Sequence, residues 1–111
     1  MLIQNGYLAE NIITFSYDDV ANHENNPFIG TLFNKPSGDL PGTDVYEGCI
    51  IDYKGAHVTP KNFLAVLRGD SAAAKGKKVL QSTVEDRVFV NFADHGGPGL
   101  IAFPSEYLYA K

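Results

Sequence analysis

Arg87-Val88-Phe89-Val90-Asn91 runs directly into Phe92-Ala93-Asp94-His95-Gly96-Gly97-Pro98-Gly99. The apolar run predicts a buried core strand over residues 85–93. At its carboxyl end stand an acid, an imidazole and two glycines. In open α/β sheets, ligand-binding and catalytic groups gather beyond the carboxyl ends of the strands. A histidine there is placed by a rigid element and is still within reach of a substrate. Glycines at that point let a substrate approach the backbone closely, and their N–H groups are suited to face a developing oxyanion. The local pattern leaves two readings of His95 open: a reactive imidazole, or a turn histidine bonded to its neighbours.

Outward from that strand the chain reads as a βαβ-like series. Residues 1–5 resemble the last turn of a helix stopped by Asn5-Gly6. Asn11 to Tyr17 is rich in β-branched and aromatic residues and predicts a strand. Asp18-Asp19 follow it and are read as a turn cap, with functional carboxylates as the alternative. From Asn22 to Gly48 the chain is broken by Asn-Asn-Pro, Asn-Lys-Pro, Ser-Gly-Asp and Pro-Gly, all turn signals. Gly30 to Asn34 predicts a short strand or hairpin arm within this stretch.

Thr59-Pro60 marks a helix start, with Thr as N-cap and Pro at the first helical position. Phe63, Leu64, Val66 and Leu67 recur at helical spacing, and Gly69 stops the helix. Phe63, Leu64 and Leu67 are expected to be buried. Val79-Leu80 reads as a short extension. Beyond the glycine turn, Leu100 to Phe103 predicts another strand ended by Pro104, and Tyr107-Leu108-Tyr109 is ambiguous. The order implies an α/β fold with a mostly parallel sheet flanked by helices. The series starts inside a helix and stops soon after a strand, so it is read as incomplete at both ends.

The 111 residues suit one domain, and 44% apolar content argues against disorder. Net charge is −4, and Lys75-Gly76-Lys77-Lys78 reads as a solvated loop, so nucleic-acid binding is not expected. No apolar run is long enough to span a membrane, and Met1 to Gly6 does not read as a secretory leader. The single Cys49 is read as a partly buried small hydrophobe rather than a reactive thiol. His23 and His57 lack metal-ligand spacing with it; no metal or other cofactor is expected.

Several stretches together resemble the legumain (asparaginyl endopeptidase) family: Asn26-Pro27, Gly42-Thr43-Asp44-Val45-Tyr46, Ile51-Asp52-Tyr53, Val58-Thr59-Pro60, Asn62 to Asp70, and Asp94-His95-Gly96. The resemblance covers essentially the whole chain. It implies a caspase-like α/β fold, with residues 1–111 as part of a cysteine endopeptidase catalytic domain. It implies a Cys–His dyad that cleaves after asparagine, more slowly after aspartate, with ligation as a second outcome. By motif match His95 is the dyad histidine, Gly96 offers an N–H to the oxyanion, and Asp94 matches an acid that the family can carry as a succinimide. Cys49 does not match the family's nucleophile, which is expected beyond Lys111, so the chain alone is expected to be inactive. Peptide or protein substrates, a prodomain or inhibitor, and a lysosomal, vacuolar or secreted location are implied for the full-length protein. A glycosylphosphatidylinositol transamidase catalytic subunit is a more distant resemblance, and Arg68-Gly69-Asp70 is a sequence hook for cell adhesion.

Overall fold

A computed structural model describes residues 2–35, 38 and 42–111. The predicted turns at Asn34-Lys35-Pro36, Ser37-Gly38-Asp39 and Pro41-Gly42 therefore fall partly outside the described residues. Single 3-10 turns occur at Ile3–Asn5, Ala9–Asn11 and Gly55–His57. The helix α1 spans Pro60–Leu67, and three short strands follow: β1, Gly96–Gly97; β2, Leu100–Ala102; β3, Tyr107–Tyr109. The strands form one antiparallel sheet in the order β1-β2-β3.

Local signals act where expected. The turn at Ile3–Asn5 ends at Gly6, whose φ of 89° is left-handed and whose N–H donates to Ile3 O. Thr59 caps α1 by accepting the Asn62 N–H at 3.2 Å, with Pro60 at the first helical position. Past the helix, Gly69 has φ 67°, and a Cβ there would lie 2.9 Å from Leu80 O. That close approach fits only glycine. The Arg-Gly-Asp tripeptide is thus built into the helix exit. Asp70 N–H donates to Ala65 O, and Asp70 Oδ1 accepts the Ala73 N–H at 2.9 Å.

The helix buries a different set from the one expected. Pro60, Ala65 and Val66 are buried, Phe63 and Leu64 are half-buried, and Leu67 is 39% exposed. Val66 also accepts the Leu80 N–H at 3.2 Å, so the chain returning from the helix covers the Val66 side and leaves Leu67 out.

The centre of the packing is Tyr53, which is 0% exposed. Its N–H donates to Thr14 O and its C=O accepts the Ser16 N–H, each at 3.0 Å. This is the parallel pairing among the described residues, one bridge between Phe15 and Tyr53. The expected strand over Asn11–Tyr17 is reduced to it. The Tyr53 ring stacks on Phe15 at 4.2 Å and its hydroxyl donates to Lys78 O at 2.6 Å. The expected arm at Gly30–Asn34 is likewise a single antiparallel bridge, Phe33 to Asp44.

The basic run is not simply solvated. Lys78 Nζ donates to Ala9 O and Ile12 O, and Lys77 Nζ to Asp52 O, while lying 5.4 Å from the Tyr53 ring centre. Cys49 is exposed rather than partly buried, because Gly48 at φ 71° closes a turn in which the Cys49 N–H donates to Tyr46 O.

Residues 85–93 join no strand ladder among the described residues, contrary to expectation. Phe92 packs in an aromatic cluster with Phe63 and Phe103, and Phe63 also meets Phe15. Phe89, by contrast, is 90% exposed, and Val88 and Val90 flank it on the surface. The Cα radius of gyration is 16.1 Å, against about 13 Å for a compact domain of this length.

Two outcomes follow from this packing. In the complete protein, Tyr53→Phe is expected to cost about 1 kcal/mol for the lost bond to Lys78 O, and Tyr53→Ala about 3–5 kcal/mol, as read from urea midpoints. A neutral Tyr53→Ala would remove Tyr53 from the centre of the core. The purified 111-residue chain is expected to self-associate through the surface around Phe89, and Phe89→Glu to reduce the effect in light scattering. A monodisperse wild-type monomer would contradict this.

Candidate functional site

Asp94, His95 and Gly96 lie where the chain turns into the β1–β2 hairpin. The hairpin is closed by Pro98-Gly99, with Gly99 at φ 76°, the glycine position of a type II turn. Gly96 pairs with Ile101 and Gly97 with Leu100. The Ala102 N–H donates to His95 O at 2.9 Å. That bond makes His95 and Ala102 a hydrogen-bonded pair. Alternation along an antiparallel ladder then makes Gly96 and Ile101 a non-hydrogen-bonded pair. The Gly96 N–H accordingly points away from β2 and is not consumed by the ladder.

His95 is exposed, as are Asp94 and Gly96. Asp94 Oδ1 accepts the N–H of the next residue, His95, at 2.6 Å, which ties the backbone at the histidine. The imidazole is therefore held through its backbone, on one side by Asp94 and on the other by Ala102. His95 is bonded to its neighbours through its backbone and is exposed, which leaves both sequence readings of its imidazole open.

Beside this turn is an open cleft of about 330 Å³, lined by Tyr17, Asp19, Asp94, Pro104 and Ser105. It brings together the carboxyl ends of two segments predicted as strands, Asn11–Tyr17 and residues 85–93. The sequence offers Asp19 as an alternative functional carboxylate and gives no comparable signal for Tyr17, Pro104 or Ser105. The available signal was positional, since residues 17–19 and 94–95 both follow apolar runs, and carboxyl ends of neighbouring strands share one edge. A larger hollow of about 580 Å³ lies among Val20, Pro27, Phe28, Leu32 and Phe33. Neither Asp94 nor His95 lines it.

Asp18, expected to cap a turn, instead bridges distant segments. It accepts the Tyr46 hydroxyl at 2.7 Å and the Lys54 ammonium at 3.2 Å. The Tyr46 hydroxyl, then Lys54, hold its carboxyl below the ordinary Asp value. The backbone N–H groups of Leu32 and Tyr46 do the same for Asp44. His57 sits in its 3-10 turn, and His23 Nδ1 accepts the Asn25 N–H. Among the described residues no three His, Cys, Asp or Glu side chains are grouped to hold a metal ion, and no helix is long and apolar enough to cross a membrane.

A model of the peptidase C13 family matches residues 1–111. The chain belongs to the peptidase C13 family. It is similar to legumain of Mus musculus, with 51% identity over 111 residues covering 97% of this chain and 25% of that protein. It is similar to hemoglobinase of Schistosoma japonicum, 50% identical across 100% of this chain and 25% of that protein. The vacuolar-processing enzyme of Phaseolus vulgaris is 50% identical across 99% of this chain and 22% of its own length. The chain thus spans about a quarter of the length of these relatives. Membership of the C13 family carries the caspase-like fold with it. The described part contributes one helix, a small antiparallel sheet and a single parallel bridge.

The lowered carboxylates have a consequence for acid stability. Their folded values lie below the unfolded one, so their contribution is complete above about pH 3.9. It is lost as pH falls through the lowered folded values. In the complete protein, the acid limb of a thermal-midpoint profile is expected to become shallower on Asp18→Asn. An unchanged limb would show that the Tyr46 and Lys54 contacts do not persist in solution.

Proposed function

We propose that these residues supply the histidine side of a cysteine endopeptidase site that hydrolyses peptide bonds after asparagine. The observation that carries this reading is the outward-facing Gly96 N–H beside an exposed, backbone-anchored His95, directly after Asp94, which lines a cleft. In this reading His95 is the imidazole of a Cys–His dyad and Gly96 is an oxyanion donor. Asp94 is the near-site acid, open to succinimide formation. The nucleophile is a cysteine elsewhere in the complete protein. Cys49 is a poor substitute, because its thiol donates to Val45 O within its own turn.

The chemistry follows from these roles. The imidazole takes the thiol proton, and sulfur bonds to the scissile carbonyl carbon. The carbonyl oxygen becomes an oxyanion facing the Gly96 N–H, a contact worth about 3 kcal/mol in comparable sites. The C–N bond breaks and the imidazolium returns its proton to the leaving amine. Water, activated by the same imidazole, then hydrolyses the thioester, or an amine intercepts it to form a new peptide bond. Specificity for asparagine requires hydrogen-bonding partners for the side-chain amide, which reject substrates that leave them unpaired.

Peptide or protein substrates, a prodomain or inhibitor partner, and a lysosomal or vacuolar setting go with this reading. The names legumain, hemoglobinase and vacuolar-processing enzyme among its relatives favour it over a transamidase. The structural use of Gly69 and Asp70 weighs against an adhesion role for the Arg-Gly-Asp tripeptide.

In the complete, activated protein, His95→Ala is expected to lower cleavage of an asparaginyl peptide by about 10²–10⁴-fold. Retention of activity within about tenfold would assign proton transfer to another group. The 111-residue chain alone is expected to show no turnover. Turnover abolished by Cys49→Ser would make Cys49 the nucleophile instead.

A further inference from the structure

We propose that Asp18 is a positioning residue for the substrate cleft that Asp94 lines, holding its neighbours Tyr17 and Asp19 at the cleft rim through a clamp made with Tyr46 and Lys54. The inference rests on the peptidase reading above and extends it to the part of the cleft opposite Asp94.

Asp18 lies between two cleft residues and does not line the cleft itself. Its φ is 65°, left-handed for a residue that carries a side chain. Asp tolerates that region better than most residues, though at an energetic cost. A sharp change of direction there sends the side chains on either side toward the cleft and its own carboxylate the other way. That carboxylate is only 9% exposed, whereas the Lys54 side chain is 62% exposed. One oxygen accepts the Tyr46 hydroxyl and the other the Lys54 ammonium. The backbone adds a further tie, since the Gly55 N–H donates to Tyr17 O at 3.1 Å. Residues 17 and 18 are thus fixed from two remote parts of the chain.

An unusual backbone conformation persists only where the surroundings enforce it. Here the enforcing contacts are identified, and the residues they orient face the turn that carries Asp94 and His95. A peptide lying in the cleft would meet Tyr17 and Asp19 away from the scissile bond. Loosening the clamp should therefore weaken peptide binding more than it slows bond cleavage.

The test is steady-state kinetics of the complete, activated protein on an asparaginyl peptide, with active sites titrated by a covalent thiol reagent. Asp18→Ala is expected to raise KM about tenfold while kcat per active site stays within about twofold. Tyr46→Phe, which deletes one hydroxyl, should raise KM about threefold. Asp18→Asn keeps an acceptor for Tyr46 and tolerance of the left-handed backbone, and should recover most of the loss. If Asp18→Ala fails to fold, Tyr46→Phe and Asp18→Asn carry the comparison. An unchanged KM in folded Asp18→Ala or Tyr46→Phe would overturn the assignment, as would a fall in kcat at constant KM. Wild-type protein without turnover would remove the peptidase reading and this inference together, whereas active wild type with indistinguishable variants would remove only the inference.

Discussion

The contacts that join residues 14–16 to residues 53 and 77–78 centre on the burial of Tyr53. An aromatic ring with a hydroxyl is favoured inside only if that hydroxyl finds a partner, and Lys78 O supplies it. The backbone of the same residue binds Thr14 and Ser16, its ring stacks on Phe15, and Lys77 lies over the ring. Three segments far apart in sequence are therefore fixed by one side chain. Lys78 closes the arrangement by reaching Ala9 O and Ile12 O. A long cationic side chain is suited to this, because its stem packs while its head finds carbonyls.

The candidate site is a second-order result of that packing. Fixing Phe15 beside Tyr53 places Tyr17 and Asp19 at the end of the same segment. Phe63 in turn contacts both Phe15 and Phe92, which relates the segment before Asp19 to the segment before Asp94. The hairpin then decides what Asp94 leads into. With His95 in the hydrogen-bonded rung, Gly96 must present its N–H outward. An imidazole and a free amide donor on consecutive residues require that register, and a one-residue slip would reverse it.

What was legible in the sequence is what is local. Thr59-Pro60, Gly69, Gly6 and Pro98-Gly99 act within a few residues of themselves, so their turn and cap chemistry can be read directly. The position of Asp94-His95-Gly96 at the end of an apolar run was legible for the same reason. Pairing was not, because a run of β-branched and aromatic residues specifies a willingness to pair and not the partner. Asn11–Tyr17 obtains one bridge and residues 85–93 none among the described residues. Side chains that act over long range escape a local reading for the same reason. Asp18 reaches Tyr46 and Lys54, and Lys78 reaches Ile12, over separations that no local pattern encodes. Leu67 fits the helical period as well as Val66 does, and only the return of the chain at Leu80 separates them.

The exposed run before His95 links stability to chemistry. Val88, Phe89 and Val90 have the composition of a strand covered on both faces, yet they lie open in these 111 residues. Covering them would remove apolar surface from water, the dominant favourable contribution to folding. The same covering would act on the site, because the run ends four residues before Asp94. Hydrogen bonds and charges strengthen as the local dielectric falls, and an oxyanion donor is most effective where water is excluded and the donor is already in place. A Gly96 N–H and a His95 ring open to solvent must compete with water for every partner. On the proposed reading, the apolar residues expected to drive association of the isolated chain are thus the ones whose burial would also strengthen the interactions of the His95 imidazole and the Gly96 N–H.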